Sequence, residues 1–319
     1  MGGDRAAPGM TREAVAGTHS GLAIGSLVRA MRPYQWPKNA IVFAALAFSA
    51  GDAWKLGEPD TWWPLLWRTF ALFGLWCMAA SATYLVNDVR DREADRLHPR
   101  KALRPIASGA VSVPGAIAIA GLLVAVAIPA TFLLDAVAGA ILAGYIALML
   151  CYSYGLKSIA ILDVIILCGG VIGRAVAGAA AIDVDISPWL YVCSSFGAFF
   201  FASSKRWAEF RQLGAEAARH RPSLAQYGGE ILGQMLTISA ATALLSYALY
   251  TIESENVPRN GSMALTIPFV GFALFRYLLL LNGERSTDAP DQIIFTDPQI
   301  LLAVTGFVVT AVTVLVIAR

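Results

Sequence analysis

The chain has 319 residues, with 24 Lys and Arg against 22 Asp and Glu, so a net charge of +2 rests on very few charges. Charged residues are 14% of the chain and hydrophobic ones 57%, where a soluble domain carries about 25% charge; the mean hydropathy is +0.61. This excludes a soluble globular enzyme, a disordered chain and a nucleic-acid partner bound through a basic surface, and leaves a polytopic membrane protein with lipid around it.

Residues 1–36 come first. Asp4, Arg12 and Glu13 sit in a stretch without the apolar core of a signal peptide, which reads as a cytoplasmic tail. Leu22, Leu27, Val28 and Met31 beside Arg29 and Arg32 suit a short interfacial helix over 20–36. Residues 37–319 read as one all-α transmembrane domain. A bilayer core of about 30 Å takes roughly 20 helical residues, and runs of that kind fall at about 38–53, 66–87, 111–133, 136–154, 159–181, 188–204, 232–251, 263–281 and 299–318. Nine transmembrane helices are expected, with interruptions at Pro129 and Pro188; no period-two alternation supports a barrel. Cys77, Cys151, Cys168 and Cys193 all lie in apolar runs without metal spacing and are expected as small core residues.

Lys and Arg set the orientation. They concentrate in the N-terminal tail, in the loop after the second run (Arg90, Arg92, Arg96, Arg100, Lys101, Arg104) and in the loop after the sixth (Lys205, Arg206, Arg211, Arg219, Arg221). These segments are therefore placed in the cytoplasm, with the protein in the plasma membrane and its chemistry at the cytoplasmic end. The loops 88–110 and 205–231 are long and charge-dense, and are expected to form short helices that cap a cytoplasmic cavity.

The densest chemical signal is Asn87-Asp88-Val89-Arg90-Asp91-Arg92-Glu93-Ala94-Asp95. On a helix, Asn87, Asp91 and Asp95 follow one another at four-residue spacing with Asp88 one step round, so three carboxylates and an amide share a face. Magnesium suits them, because it prefers oxygen ligands and is held by one or two carboxylates plus substrate phosphate oxygens. Downstream, Arg100, Lys101 and Arg104 supply cations for a substrate with more negative charge than the metal neutralises. Ser108 and Gly109 are expected to open the next helix at an anion-favouring N-terminus.

NDxxDxxxD at Asn87–Asp95, RPIASG at Arg104–Gly109, RPYQWPKN at Arg32–Asn39 and YGLK at Tyr154–Lys157 together resemble the UbiA superfamily of intramembrane prenyltransferases over essentially the whole chain. The resemblance implies helices around a central cavity open to lipid, with a diphosphate held through magnesium under a cytoplasmic cap. It assigns Asp88, Asp91 and Asp95 to metal and catalysis; Asn87, Lys38, Tyr154 and Lys157 are further candidates for contact with substrate. Ordinary members carry a second motif, DxxxD, after the sixth helix. Here that place reads Ser203-Ser204-Lys205-Arg206-Trp207-Ala208-Glu209-Phe210. Exchanging metal ligands for Lys205 and Arg206 removes a metal site and offers phosphate a direct one, with Glu209 beside it.

That departure resembles a branch of actinobacteria that moves 5-phosphoribose from phosphoribosyl diphosphate to a polyprenyl phosphate, decaprenyl phosphate, toward the arabinose donor of cell-wall arabinan. The rival within the family is an aromatic prenyltransferase using a polyprenyl diphosphate. Within the membrane, Arg174 is a costly charge and is expected to meet a phosphate entering from the lipid side. Asp163 lies about 16 Å away along one helix, out of its direct reach. His98 reads as a structural loop residue. Oligomerisation into a homo-oligomer stays open at this point.

Overall fold

The computed structural model describes residues 24–98, 101–185, 187–213, 222–255, 257–283 and 292–317. Backbone polar groups in a bilayer need partners inside their own segment, and the apolar runs accordingly form helices. Eight are long: α1 (Pro59–Arg90), α2 (Val113–Leu134), α3 (Ala136–Tyr154), α4 (Leu162–Ala181), α5 (Pro188–Leu213), α6 (Gly229–Glu253), α7 (Ile267–Asn282) and α8 (Pro298–Ile317). Among the described residues, seven helices are long and apolar enough to cross a membrane, all of these except α5. The protein is an all-helical, multi-pass membrane protein.

Two of the nine expected spans differ. The run 38–53 is a 3-10 helix, Pro33–Phe43, followed by five α-helical residues, Ala44–Phe48. Pro37 lies inside the first of these, where it lacks the N–H that an α-helical ladder needs. The run 188–204 does lie within a 26-residue helix, but its serines and Lys205 dilute the apolar character. Pro129, in contrast, does not interrupt α2. Cys77 and Cys168 are buried, whereas Cys151, expected in the core, is exposed: an apolar run does not distinguish a protein-facing position from a lipid-facing one.

The chain divides into two compact units, Met1–Trp36 with Cys77–Val126, and Pro37–Trp76 with Ala127–Arg319. In the first, Ala82 and Leu85 of α1, Ala116 and Ala120 of α2, Ile106 and Val111 between them, and Ala30 of the helical residues 24–30 form a single buried cluster. The intervening loop is fixed by Gly109, whose φ of +83° is left-handed. Ser112, not Ser108, caps α2, accepting the Gly115 N–H at 3.2 Å. Ser108 and Gly109 are thus an exposed turn rather than a helix N-terminus, displaced by the four residues that the turn consumes.

In the second unit, α4, α5 and α6 pack through Val164, Cys168, Ala198, Ala202 and Leu232, with Leu224 from the 3-10 turn Pro222–Gln226. Asp135 caps α3 through the Ala138 N–H at 2.7 Å. Arg68 donates to the terminal carbonyls of Leu134 and Ala181, so one cation closes the C-termini of α2 and α4.

Candidate functional site

The acidic motif breaks where a continuous helix was expected. α1 ends at Arg90 and a short helix, Arg92–Arg96, restarts after Asp91. The register survives, because the Asp91 N–H still reaches Asn87 O at 2.9 Å and the Asp95 N–H reaches Asp91 O at 2.8 Å. The acids then divide into two sets. Asp91 accepts from the Asn87 amide at 3.2 Å, and both side chains are partly exposed. Asp88 and Asp95 are buried, at 2% and 4% exposure, and a guanidinium joins them. Arg104 Nη1 lies 2.7 Å from Asp95 Oδ2 and 3.3 Å from Asp88 Oδ1.

Asp88 Oδ1 also accepts from Arg32 Nη2 at 2.5 Å. The sequence reading did not place Arg32 at the acids. Its guanidinium lies 5.0 Å over the Tyr84 ring, and its φ is +55°. A left-handed residue directly before proline is strained, and such strain gathers where the surroundings over-determine a geometry. Burial opposes the charge on Arg32, but Asp88 outweighs it and raises the guanidinium pKa above its ordinary value. Arg96 anchors the short helix by donating to Ala107 O at 3.0 Å, and His98 Nδ1 accepts the Lys101 N–H at 3.4 Å. Lys101 is exposed. Arg100 lies outside the described residues.

In the second unit, the Lys205-Arg206 pair divides as well. Arg206 turns inward, 2% exposed, donating to Asp163 Oδ2 at 2.7 Å, Glu209 Oε2 at 2.8 Å and the Tyr152 hydroxyl at 3.4 Å. Asp163, fully buried, also accepts from Tyr227 at 2.8 Å and Ser223 at 3.3 Å. The Tyr227 hydroxyl in turn accepts the Ile161 N–H, at a residue with a φ of +68°. Burial pushes the Tyr227 hydroxyl up, with Asp163 adding to it, so the phenol stays protonated and donates. This network ties α4, α5 and the turn at 222–227 together. Lys205 is half-buried. Tyr154, the exposed last residue of α3, and Lys157, in the 3-10 turn Leu156–Ser158, sit at the α3–α4 junction.

Arg174 is buried within α4. It donates to Asn39 Oδ1 at 2.7 Å, Tyr145 Oη at 3.1 Å and Gly170 O, and its guanidinium lies 4.7 Å from the rings of both Trp76 and Tyr145. One turn on, Gly178 leaves room for the backbone carbonyl of Val42. Asn39 and Val42 are three apart in a 3-10 helix and share its face. Two positions of α4 therefore grip the segment that carries the exposed Lys38.

Among the described residues no three His, Cys, Asp or Glu side chains converge closely enough to hold a metal ion. Asp88 and Asp95 nonetheless direct one oxygen each at a single cationic nitrogen, and two carboxylates with phosphate oxygens are a usual magnesium set. On that chemistry the residues fit a divalent ion carrying a diphosphate. The sequence legibly held these acids; it did not show Asp163, whose partner sits 43 residues downstream, although both lie at the same end of adjoining helices.

Residues 40–296 match the UbiA prenyltransferase family. A decaprenyl-phosphate phosphoribosyltransferase of Mycolicibacterium smegmatis is 35% identical over 301 residues, covering 90% of this chain and 92% of that protein. One of Corynebacterium glutamicum is 36% identical over 276 residues, covering 85% and 81%. Among solved structures, a UbiA homolog from Archaeoglobus fulgidus bound to DMAPP and Mg2+ superposes with a TM-score of 0.69 at 17% identity, covering 92% of this chain and 99% of that one. With a match over most of its length, and with the acidic motif and an all-helical fold in agreement, this chain belongs to the UbiA prenyltransferase family.

Proposed function

We propose that the chain transfers 5-phosphoribose from phosphoribosyl diphosphate to decaprenyl phosphate, releasing diphosphate, at the cytoplasmic face of the plasma membrane. The observation that carries this reading is the place of the second acidic motif, where Lys205 and Arg206 stand with a single carboxylate, Glu209. A prenyl diphosphate enzyme with two acidic walls holds metal there; cations favour a phosphate bound directly. Relatives named for phosphoribosyl transfer support it. Residues 37–319 form the catalytic domain in this reading, and residues 1–36 a cytoplasmic tail with an interfacial helix.

Asp88 and Asp95 would hold magnesium, with Asp91 and the Asn87 amide, the more exposed set, joining them when substrate binds; the ion when bound stabilises charge on the leaving diphosphate. Arg100, Lys101 and Arg104 bind diphosphate oxygens. Lys38, Tyr154, Lys157 and Lys205 bind the ribose 5-phosphate and the lipid phosphate. Arg206 and Glu209 fix the helix on which Lys205 rides, and Arg174 fixes the segment of Lys38. A lipid phosphate oxygen attacks the anomeric carbon, the bond from that carbon to the diphosphate oxygen breaks, and the electron pair leaves with diphosphate. Displacement from the opposite side inverts the anomeric configuration. The attacking phosphate is already ionised, so no general base is needed, and positioning with electrostatic stabilisation provides the rate.

Purified protein in detergent, given magnesium, phosphoribosyl diphosphate and decaprenyl phosphate, should release diphosphate in step with lipid-linked phosphoribose. No gradient exists in detergent, so a transporter would leave both substrates unchanged, and that outcome contradicts the reading.

A further inference from the structure

Arg104 sets one cationic nitrogen between two carboxylates. One of its nitrogens meets an oxygen of Asp88 and an oxygen of Asp95, two carboxylates that are both buried. A divalent ion held by Asp88 and Asp95 would compete with that nitrogen for the same negative charge, because two cations close together between the same acids repel. The displaced guanidinium then needs anionic partners of its own. Its side chain is 28% exposed, so it has room to turn, and a diphosphate offers it a fork of acceptor oxygens. Arg32 differs: among the described acids it meets only Asp88, from a strained backbone and with its guanidinium over the Tyr84 ring, and it stays to neutralise Asp88 while Arg104 moves.

We propose that Arg104 is an internal counter-ion that couples metal to diphosphate: it holds Asp88 and Asp95 against a bare divalent cation and transfers to the diphosphate when metal and diphosphate arrive together. The proposal rests on the phosphoribosyl-transfer reading for the identity of the diphosphate substrate. It goes beyond that reading in giving Arg104 opposite effects on two binding events. Bare metal is resisted, and the metal–diphosphate complex is welcomed. The site thereby avoids holding a cation that has no diphosphate to act on. A coupling between two ligands carried by one residue has an expected size of about 5- to 150-fold.

The test uses full-length protein in detergent and two probes, Mn2+ alone, read by electron paramagnetic resonance, and preformed magnesium–diphosphate complex, read by calorimetry. Arg104→Gln should bind Mn2+ alone about ten-fold tighter than the parent and the magnesium–diphosphate complex about ten-fold more weakly. Lys101→Gln removes an equal charge from the same loop, an exposed one, and should leave Mn2+ affinity within about two-fold of the parent, as expected of a solvent-screened charge. Arg104→Lys, which keeps the charge but loses the fork, should fall between parent and Gln on both probes. It serves as the deciding variant if Arg104→Gln does not fold, as judged by helical circular dichroism. Mn2+ affinity unchanged or weakened in the folded Arg104 variants, or raised equally by Lys101→Gln, overturns the proposal. Neither probe contains ribose or lipid, so failure of the phosphoribosyl-transfer reading would show only in the transfer assay and would leave this titration intact.

Discussion

Asp88 and Asp163 are both buried carboxylates held by arginine, and the contrast lies in which partners can leave. At Asp88 the arginines retain access to solvent, with side chains 17% and 28% exposed for Arg32 and Arg104, and the partly exposed Asn87 and Asp91 lie within four residues. At Asp163 the arginine is 3% exposed, and Tyr227 and Ser223 complete the carboxylate's hydrogen bonds. The same pair of residue types thus makes an openable cluster in one unit and a locked one in the other. Breaking a buried pair from one side leaves an uncompensated charge, whereas a pair that can exchange partners is suited to binding a ligand.

The largest effect is expected at the locked cluster. Asp163→Ala should destabilise the protein by about 3–5 kcal/mol, read as a lower thermal midpoint by circular dichroism in detergent, because it takes from Arg206 its fully buried acid, leaving the half-exposed Glu209, and frees the Tyr227 hydroxyl. A thermal midpoint unchanged by Asp163→Ala would erase the distinction between the clusters. Next in size, Asp88→Asn and Asp95→Asn should each lower turnover by about 10²-fold or more, with the thermal midpoint close to the parent's. Activity retained in both variants would remove the acidic motif from the chemistry.

That contrast marks what sequence could carry. The helical, membrane-spanning class was legible from apolar runs, and the acidic motif from the spacing of Asn87, Asp88, Asp91 and Asp95, since both are local patterns. The partner exchange was not. Asp163 and Arg206 are 43 residues apart, and nothing in the composition of Lys205-Arg206 says that one cation faces inward. The strain at Arg32 and Ile161 is likewise set by tertiary contacts, the hydrogen bonds at Asp88 and Tyr227, whereas the 3-10 form of Pro33–Phe43 has a local cause in Pro37 with the grip of α4 on Asn39 and Val42 added to it.

A smaller effect sharpens the reading of Lys205. Arg206 is bound to Asp163, whereas Lys205, half-buried beside it, is the proposed phosphate contact. Lys205→Ala should raise KM for one of the two phosphate substrates by about ten-fold, in line with a charge-assisted hydrogen bond, with little change in thermal midpoint. Kinetics with each substrate varied in turn would measure it, and equal KM shifts for both would assign the residue to topology alone.

The smallest effect belongs to a partly exposed counterpart at a helix start, Arg276 and Asp297, paired at 2.9 Å. Asp297 also caps α8 through the N–H groups of Gln299 and Ile300. The Arg276 hydrogen bond, with these caps, holds the Asp297 carboxyl below its ordinary 3.8. Its stabilisation is therefore present above about pH 3.8 and lost as pH falls through the lower folded value. Asp297→Ala should shift the thermal midpoint slightly at pH 7 and by less at pH 3, and a shift that grows on acidification would reverse the sign of the argument.

The most direct test of the account is a single competition in which purified protein meets phosphoribosyl diphosphate, decaprenyl phosphate, decaprenyl diphosphate and 4-hydroxybenzoate together with magnesium. The lipid products are then resolved by mass spectrometry. A chain with one acidic cluster and a cationic second motif is predicted to give phosphoribosylated decaprenyl phosphate and no prenylated benzoate. Prenylated 4-hydroxybenzoate as the main product would contradict it, and would show that Lys205 does not choose the substrate.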